Sequence, residues 1–398
     1  MKILVISHMY PSNFNMTSGI FVHEQVKTLV RQGHEVKVIS PIPWAPFPFN
    51  QLSKKWNQYS KIPRKSQIDG IEVFYTRYLN LPHSYLFEYY GDFFYLGMKN
   101  VIAKLYQTFP FELIHAHVAL PDGVAAIKLK EKFHVPFVVT IHGQDLQHTI
   151  YRNKKCKAKI TETFQKADKI ILVSSKLKRI ADQEIGYSSK SVVIHNGMNL
   201  EKISSTHSKK IPSNERMILS VSNLYPSKGI DLNLYAVSKL KNKYPNLKYY
   251  IVGDGPERDR LRKLAEDLQI KEHVKFLGRL PHEKALEYMQ ACEIFSLPSW
   301  KEGFGIAYIE AMAFGKPVIG VVGEGIEDVI QQGVTGVLVK PKDVESLVKA
   351  LDDLLSDPTK GEEMGQNARK MVYDQLTWKE NVQQTIDLYK AVLHHGEN

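Results

Sequence analysis

Two glutamates flank a glycine turn late in the chain. In Trp300-Lys301-Glu302-Gly303-Phe304-Gly305 and the apolar stretch that follows to Glu310, the carboxylates of Glu302 and Glu310 stand eight residues apart across a helix start. Glycines let a backbone approach a ligand closely, and the N–H groups of a helix start attract an anion such as a diphosphate. Carboxylates at two depths along one ligand suit the vicinal hydroxyls of a sugar or ribose, which donate hydrogen bonds. A cation belongs in the same chemistry, and Lys228, between the apolar run 217–222 and Gly229, is placed to meet phosphate. In the other half of the chain, His142 follows the apolar run 137–141 and precedes Gly143-Gln144-Asp145, a strand end where a reacting group belongs.

Strands must carry these loops. Residues 2–7 form a short apolar run of the buried parallel type, and Val22, Val26, Leu29 and Val30 recur at helical spacing before Gly33 and a β-branched run at 35–40. Further apolar runs at 113–114, 137–141, 169–173 and 191–194 alternate with helix-like stretches, and a second series occupies 217–222, 247–252, 274–277, 294–297, 317–322 and 337–339. This alternation predicts an α/β protein of two Rossmann-like, doubly wound domains facing across a cleft, with ligand loops at the carboxyl ends of the strands. The pattern lapses between 200 and 216, most plainly from Ser204 to Ser208, so the domains are expected at 1–203 and 204–377. A final helix at about 378–395, with Val382, Ile386, Tyr389 and Val392 on one stripe, is expected to pack back on the first domain.

At 398 residues and 43% hydrophobic content the chain reads as globular and too long for one core. Its two cysteines, Cys156 and Cys292, have no metal-ligand spacing and suit a reducing compartment. The first apolar run is too short for a signal or a membrane span, which predicts a cytoplasmic protein. Charge is uneven: residues 1–200 hold 26 Lys/Arg against 14 Asp/Glu, whereas the rest hold 27 against 28. The basic half also carries Trp44, Phe47, Lys54, Lys55, Trp56, Tyr85, Phe87, Tyr89, Tyr90, Phe93 and Phe94, and then Arg152, Lys154, Lys155 and Lys157. Aromatic groups at headgroup level with lysines toward phosphates predict an anionic membrane surface, on the inner face of the plasma membrane, as a partner. No nucleic-acid recognition motif accompanies the charge, so nucleic acid is not expected.

The run from Ser296 to Ala313, followed by Gly315-Lys316-Pro317-Val318-Ile319, resembles the signature of retaining glycosyltransferase family four, the group of sucrose synthases and bacterial mannosyl- and glucosyltransferases with the two-domain GT-B fold. The resemblance implies that Glu302 holds donor-sugar hydroxyls, that Gly303, Phe304 and Gly305 hold the diphosphate, and that Glu310 holds the ribose. Val221-Ser222-Asn223-Leu224 and Ser227-Lys228-Gly229 resemble the family's phosphate-gripping loop, with Asn223 where an arginine is usual. Gly253 and Gly255 resemble a second loop of the nucleotide pocket, Leu277 lies in the segment whose backbone meets the base, and Gly19 lies in the loop that passes over the phosphates. It has one glycine where two are usual. His142 corresponds to the family's strand-end histidine near the reacting centre, with His117 and Asp145, and also His115, toward the acceptor.

The function so implied is transfer, with retention, of a hexose or N-acetylhexosamine from a nucleotide sugar, UDP favoured, to a sugar hydroxyl on a lipid-linked or oligosaccharide acceptor in surface-polysaccharide synthesis. The nucleotide sugar is a co-substrate. No cofactor and no metal are expected, in keeping with the lack of an Asp-x-Asp donor motif. The alternatives are a sugar-nucleotide epimerase or phosphorylase of the same fold and a non-catalytic membrane scaffold.

Overall fold

The structure, a computed structural model, describes residues 1–51, 53–81, 84–207 and 215–394. The chain forms two compact units: Met1–Gly197 with the chain from Trp378 onward, and Met198–Thr377.

Unit 1 is built on β1 (Lys2–Ile6), β2 (Glu35–Pro43), β3 (Lys65–Ile68), β4 (Ile71–Tyr78), β5 (Leu113–His117), β6 (Phe137–Ile141), β7 (Lys169–Leu172) and β8 (Ser191–Val193). They lie in the order β3-β4-β2-β1-β5-β6-β7-β8, parallel except for β3, which runs antiparallel to β4. β1 sits between β2 and β5, so the winding direction reverses there. Helices on both faces keep the central strands dry, and Ile3, Leu4, Val5 and Ile6 are fully buried. The C-terminal helix Trp378–His394 belongs to this unit. Its Val382, Ile386, Tyr389 and Val392 join the core with Val22, Val26 and Leu29 of the helix Ile20–Arg31. Each such buried side chain contributes about 1.5–3 kcal/mol. Polar bonds fix the register: Gln25 donates to Asn381 Oδ1 at 2.7 Å, and Asn381 donates to the His195 carbonyl at 2.7 Å.

Unit 2 contains β9 (Arg216–Val221), β10 (Leu247–Val252), β11 (Val274–Gly278), β12 (Ile294–Ser296), β13 (Val318–Val321) and β14 (Val337–Val339). The order is β11-β10-β9-β12-β13-β14, wholly parallel. This is the Rossmann order, with its switch point between β9 and β12.

One sequence expectation needs correction. The division between units falls after Gly197, not at 203/204. Met198 donates to the Leu376 carbonyl at 2.7 Å and Asn199 caps a short helix, Leu200–Ser205, whose Ile203 is buried, so this stretch is anchored within unit 2. Ser208 and residues 209–214 of the expected linker lie outside the described residues. The aromatic, basic stretch after β2 carries regular elements of its own. It holds the Ser53-capped helix Lys54–Lys61, the β3–β4 hairpin and the long helix Tyr90–Thr108. Asp69 and Gly70 both take positive φ, 48° and 82°, as the tight hairpin turn requires.

Candidate active site

In unit 2 the loops that follow β9 and β12 meet at the switch point. A Cβ on Gly229 would lie 2.3 Å from the Pro298 carbonyl oxygen, and Trp300 N–H donates to the Ser227 carbonyl at 2.9 Å. This contact places Lys228 Nζ 2.6 Å from Glu302 Oε2, both side chains being about one-fifth exposed. Just beyond, Gly305 at φ 99° turns the chain into the helix Ile306–Ala313, whose start has no side-chain cap. A Cβ there would strike the Tyr308 ring at 2.7 Å, so glycine is needed. Phe304 is buried. Glu310, also buried, lies on this helix with Oε1 2.6 Å from His282 Nε2. That hydrogen bond raises the His282 pKa above its usual value.

The remaining donor-side residues have structural explanations of their own. A Cβ at Gly253 would lie 1.7 Å from the Ser222 carbonyl oxygen, and one at Gly255 would lie 2.5 Å from that of Leu224. These glycines let the loop after β10 nest on the loop after β9. Asn223 is exposed on that latter loop, and Leu277 is half-buried on the edge strand β11. In unit 1, Gly19 (φ 55°) opens the helix Ile20–Arg31 where a Cβ would meet the Met9 carbonyl oxygen at 2.1 Å.

Unit 1 gathers a second cluster where the loops after β1, β5 and β6 emerge. His117 Nδ1 lies 3.0 Å from His142 Nε2, their rings stacked at 12°, and Phe21 packs on His142 at 4.5 Å. Burial pulls His142 down to about 3 and, with neighbouring His115 and His142, holds His117 far below its usual value. Both imidazoles are therefore neutral at pH 7, and one donates to the other. Asp145 accepts the Leu120 N–H at 3.2 Å, and burial pushes its carboxyl up to about 7. His117 Nε2, His142 Nδ1 and Asp145 Oδ2 are buried without a protein partner among the described residues. Such atoms are uncommon in native proteins.

His115 packs behind this cluster, its ring centre 4.3 Å from that of His117. It is fully buried between Tyr389 Oη at 2.5 Å and Thr140 Oγ1 at 2.7 Å, tying the C-terminal helix to the sheet.

The pairing of His8 with Asp122 in this cluster escapes a reading of motifs. His8, in the loop after β1, places Nδ1 2.9 Å from Asp122 Oδ2, and its backbone N–H reaches both carboxylate oxygens at 3.3 Å. Burial opposes protonation of His8, but Asp122 and, more weakly, Asp145 outweigh it and raise its pKa. Asp122 is raised in turn by burial, partly offset by His8. His282 and Glu324 on unit 2 were likewise invisible as partners, because each pairing spans distant loops.

Among the described residues no group of three or more His, Cys, Asp or Glu side chains could hold a metal ion, and no helix is long and apolar enough to cross a membrane. Residues 202–371 match the family of glycosyl transferases group 1, and residues 18–202 match glycosyltransferase family 4. A putative teichuronic acid biosynthesis glycosyltransferase of Bacillus subtilis is 28% identical over 88% of each chain. Sucrose-phosphate synthase of Thermosynechococcus elongatus superposes with a TM-score of 0.80 over 99% of both chains at 22% identity. HepE of Anabaena, solved with UDP-glucose, does so with a TM-score of 0.71 over 98% of this chain and 100% of its own at 21% identity. The last two similarities establish the two-domain Rossmann-like fold. The two family matches adjoin at residue 202 and cover most of the sequence, and the chain belongs to the family 4, group 1 glycosyltransferases.

Proposed function

We propose that this glycosyltransferase moves a hexose or N-acetylhexosamine from a nucleotide sugar, UDP favoured, to a sugar hydroxyl of a lipid-linked intermediate in cell-surface polysaccharide synthesis, with retention at the anomeric carbon. The observation that carries the donor assignment is the Lys228–Glu302 pair at the unit 2 switch point, beside the helix that Gly305 opens. Lys228 and the backbone of 303–305 receive the departing diphosphate, Glu302 binds sugar hydroxyls, and Glu310, held by His282, binds the ribose. Asn223, Gly253, Gly255 and Leu277 frame the nucleotide pocket. His142, His117 and Asp145 serve the reacting sugar and acceptor.

The acceptor oxygen bonds to the anomeric carbon on the face from which diphosphate leaves. The old C–O bond breaks with its electron pair going to the diphosphate, one of whose oxygens takes the acceptor proton. Stabilising the departing charge is then the main contribution of the protein, and Lys228 fills the role without a resident metal. The HepE complex with UDP-glucose and the teichuronic acid relative support the choice of nucleotide and pathway.

A membrane-facing surface on unit 1 fits a lipid-linked acceptor and a peripheral position on the cytoplasmic face. Tyr85, Leu86, Tyr89 and Tyr151 are exposed next to Arg152, Lys154 and Lys155. The two segments are one surface: Arg152 donates to the Ser84 carbonyl at 2.7 Å and lies 4.9 Å from the Phe87 ring centre, and Lys155 Nζ is 3.3 Å from Tyr89 Oη. Tyr90 and Phe94, by contrast, belong to the core.

The decisive test is transfer from a panel of nucleotide sugars in EDTA, with the product's anomeric configuration read by NMR. Glu302→Gln should lower the rate at least about 100-fold while the protein stays folded. Unchanged activity in that variant, or an inverted product, would overturn the assignment. The chain should bind anionic vesicles, less so at high salt, and leave neutral ones unbound; equal binding to both would remove the membrane surface.

A further inference from the structure

The loop after β13 presses against the Glu302 loop. A Cβ on Gly325 would lie 2.2 Å from the Gly303 carbonyl oxygen and 2.8 Å from Phe304 Cα, so glycine alone fits. The preceding residue, Glu324, is 8% exposed, and its Oε2 accepts the Glu302 backbone N–H at 2.6 Å. A carboxylate on a backbone N–H is among the stronger hydrogen bonds. Glu324 therefore holds the peptide from which the Glu302 side chain reaches Lys228. Acidic groups outnumber basic ones here, with Glu302, Glu324, Glu327 and Asp328 against Lys228, exposed Lys301 and Lys342, whose Nζ lies 5.3 Å from the Trp300 ring centre. Glu327 is turned onto its own loop, where it accepts the Gly323 N–H at 3.1 Å.

We propose that Glu324 is a positioning and specificity residue that sets the class of donor sugar: neutral hexoses and N-acetylhexosamines are accepted, and hexuronates are rejected. The proposal rests on the reading that Glu302 binds the sugar end of the donor. A carboxylate at C6 of that sugar would enter partly buried loops already holding Glu302 and Glu324, where like charges repel more strongly than in water. Lys228, which pairs with Glu302, is also required by the diphosphate. A neutral sugar brings no like charge, and its hydroxyls can donate to these carboxylates. Rejection by a repulsive element of this kind is a common source of specificity.

Calorimetric binding of UDP, UDP-glucose and UDP-glucuronate to the full chain, to Glu324→Gln and to Glu324→Ala tests this. The wild-type chain should favour UDP-glucose over UDP-glucuronate by about tenfold or more. Glu324→Gln keeps an oxygen for the Glu302 N–H but removes the charge, so it should erase most of that preference while leaving UDP affinity unchanged. Glu324→Ala should also weaken UDP-glucose, because the Glu302 loop loses its anchor. A preference identical in wild type and Glu324→Gln, or no preference in wild type, would overturn the proposal. If UDP itself fails to bind, the uridine assignment has failed separately, and the comparison is made with GDP-mannose and GDP-mannuronate. Binding of neither pair would remove the donor-site reading and this inference with it.

Discussion

Each unit has a switch point, and each places a basic side chain against an acidic one there, but the two pairs differ in kind. In unit 2 the pair is Lys228 and Glu302, both partly exposed and separated by 2.6 Å. In unit 1 it is His8, about one-third exposed, and Asp122, which is wholly buried. Lysine offers a compact charge suited to a leaving diphosphate, whereas a histidine fixed by a buried carboxylate offers a proton that comes and goes near neutral pH. Around His8 the perturbed groups accumulate: Asp122 and Asp145 are raised by burial, and His117 and His142 are lowered by it. The same topological position thus supplies electrostatics in one unit and titration in the other.

The largest effect should come from Lys228→Ala. It removes the proposed counter-charge of the diphosphate and the cation 2.6 Å from Glu302, so kcat should fall about 100- to 1,000-fold, with a smaller change in donor KM. A loss below about fivefold would end the contrast between the two pairs.

Next in size is a backbone comparison. Gly253→Ala drives a Cβ to 1.7 Å from the Ser222 carbonyl oxygen at φ 138° and should destabilise the chain by on the order of 3 kcal/mol or more. Gly33→Ala in unit 1, at φ 85° with open space around the Cβ, should lose only about 1 kcal/mol. Urea denaturation measures both, and equal losses would show that the unit 2 loops do not depend on their close nesting.

Asp145→Asn probes the titrating cluster. Because burial raises Asp145 from 3.8 to about 7, the native state holds a proton between those values that the unfolded chain has released. Stability should therefore fall as pH rises through this window, and the asparagine variant should not share the fall. The full shift corresponds to roughly 4 kcal/mol, and relaxation of the site should leave about 2 kcal/mol as the gain at pH 8. Melting temperatures at pH 5 and pH 8 test it, and parallel pH dependences in the two proteins would refute the burial argument.

The smallest expected effect is that of Asp122→Asn on the rate at the optimum. Without that carboxylate, burial dominates His8 and its pKa drops. The stabilisation that protonated His8 provides at low pH, lost as pH rises through its raised value, should vanish with it. A limb of the kcat/KM profile governed by His8 should move to lower pH, and an unmoved profile would exclude His8 from the rate.

The Glu302–Glu310 motif was legible because it is local. Glu302, the glycine turn and Glu310 occupy one loop and one helix, so spacing alone orders them. The His8–Asp122 pair spans 114 positions, and Glu302 to Glu324 spans 22 across one crossover. No periodicity reports such contacts. The hairpin at Asp69-Gly70 carried a turn signal, but the aromatic and basic composition around it obscured the strands. Gly19, Gly253 and Gly255 suggested approach to a ligand, whereas the close neighbours found are carbonyl oxygens of the chain itself.

By itself the sequence determined the two α/β units, the apolar stripe of the last helix and the glycine turn between Glu302 and Glu310, because hydrophobic period and local turn chemistry act over a few residues. Only the tertiary structure decided that His115 is a core tie to Tyr389, that His282 holds Glu310, and that Glu324 anchors the peptide of Glu302. Parallel strands must be joined by long crossovers, so the loops that share a switch point are distant in sequence, and their side chains become neighbours only when the sheet has formed.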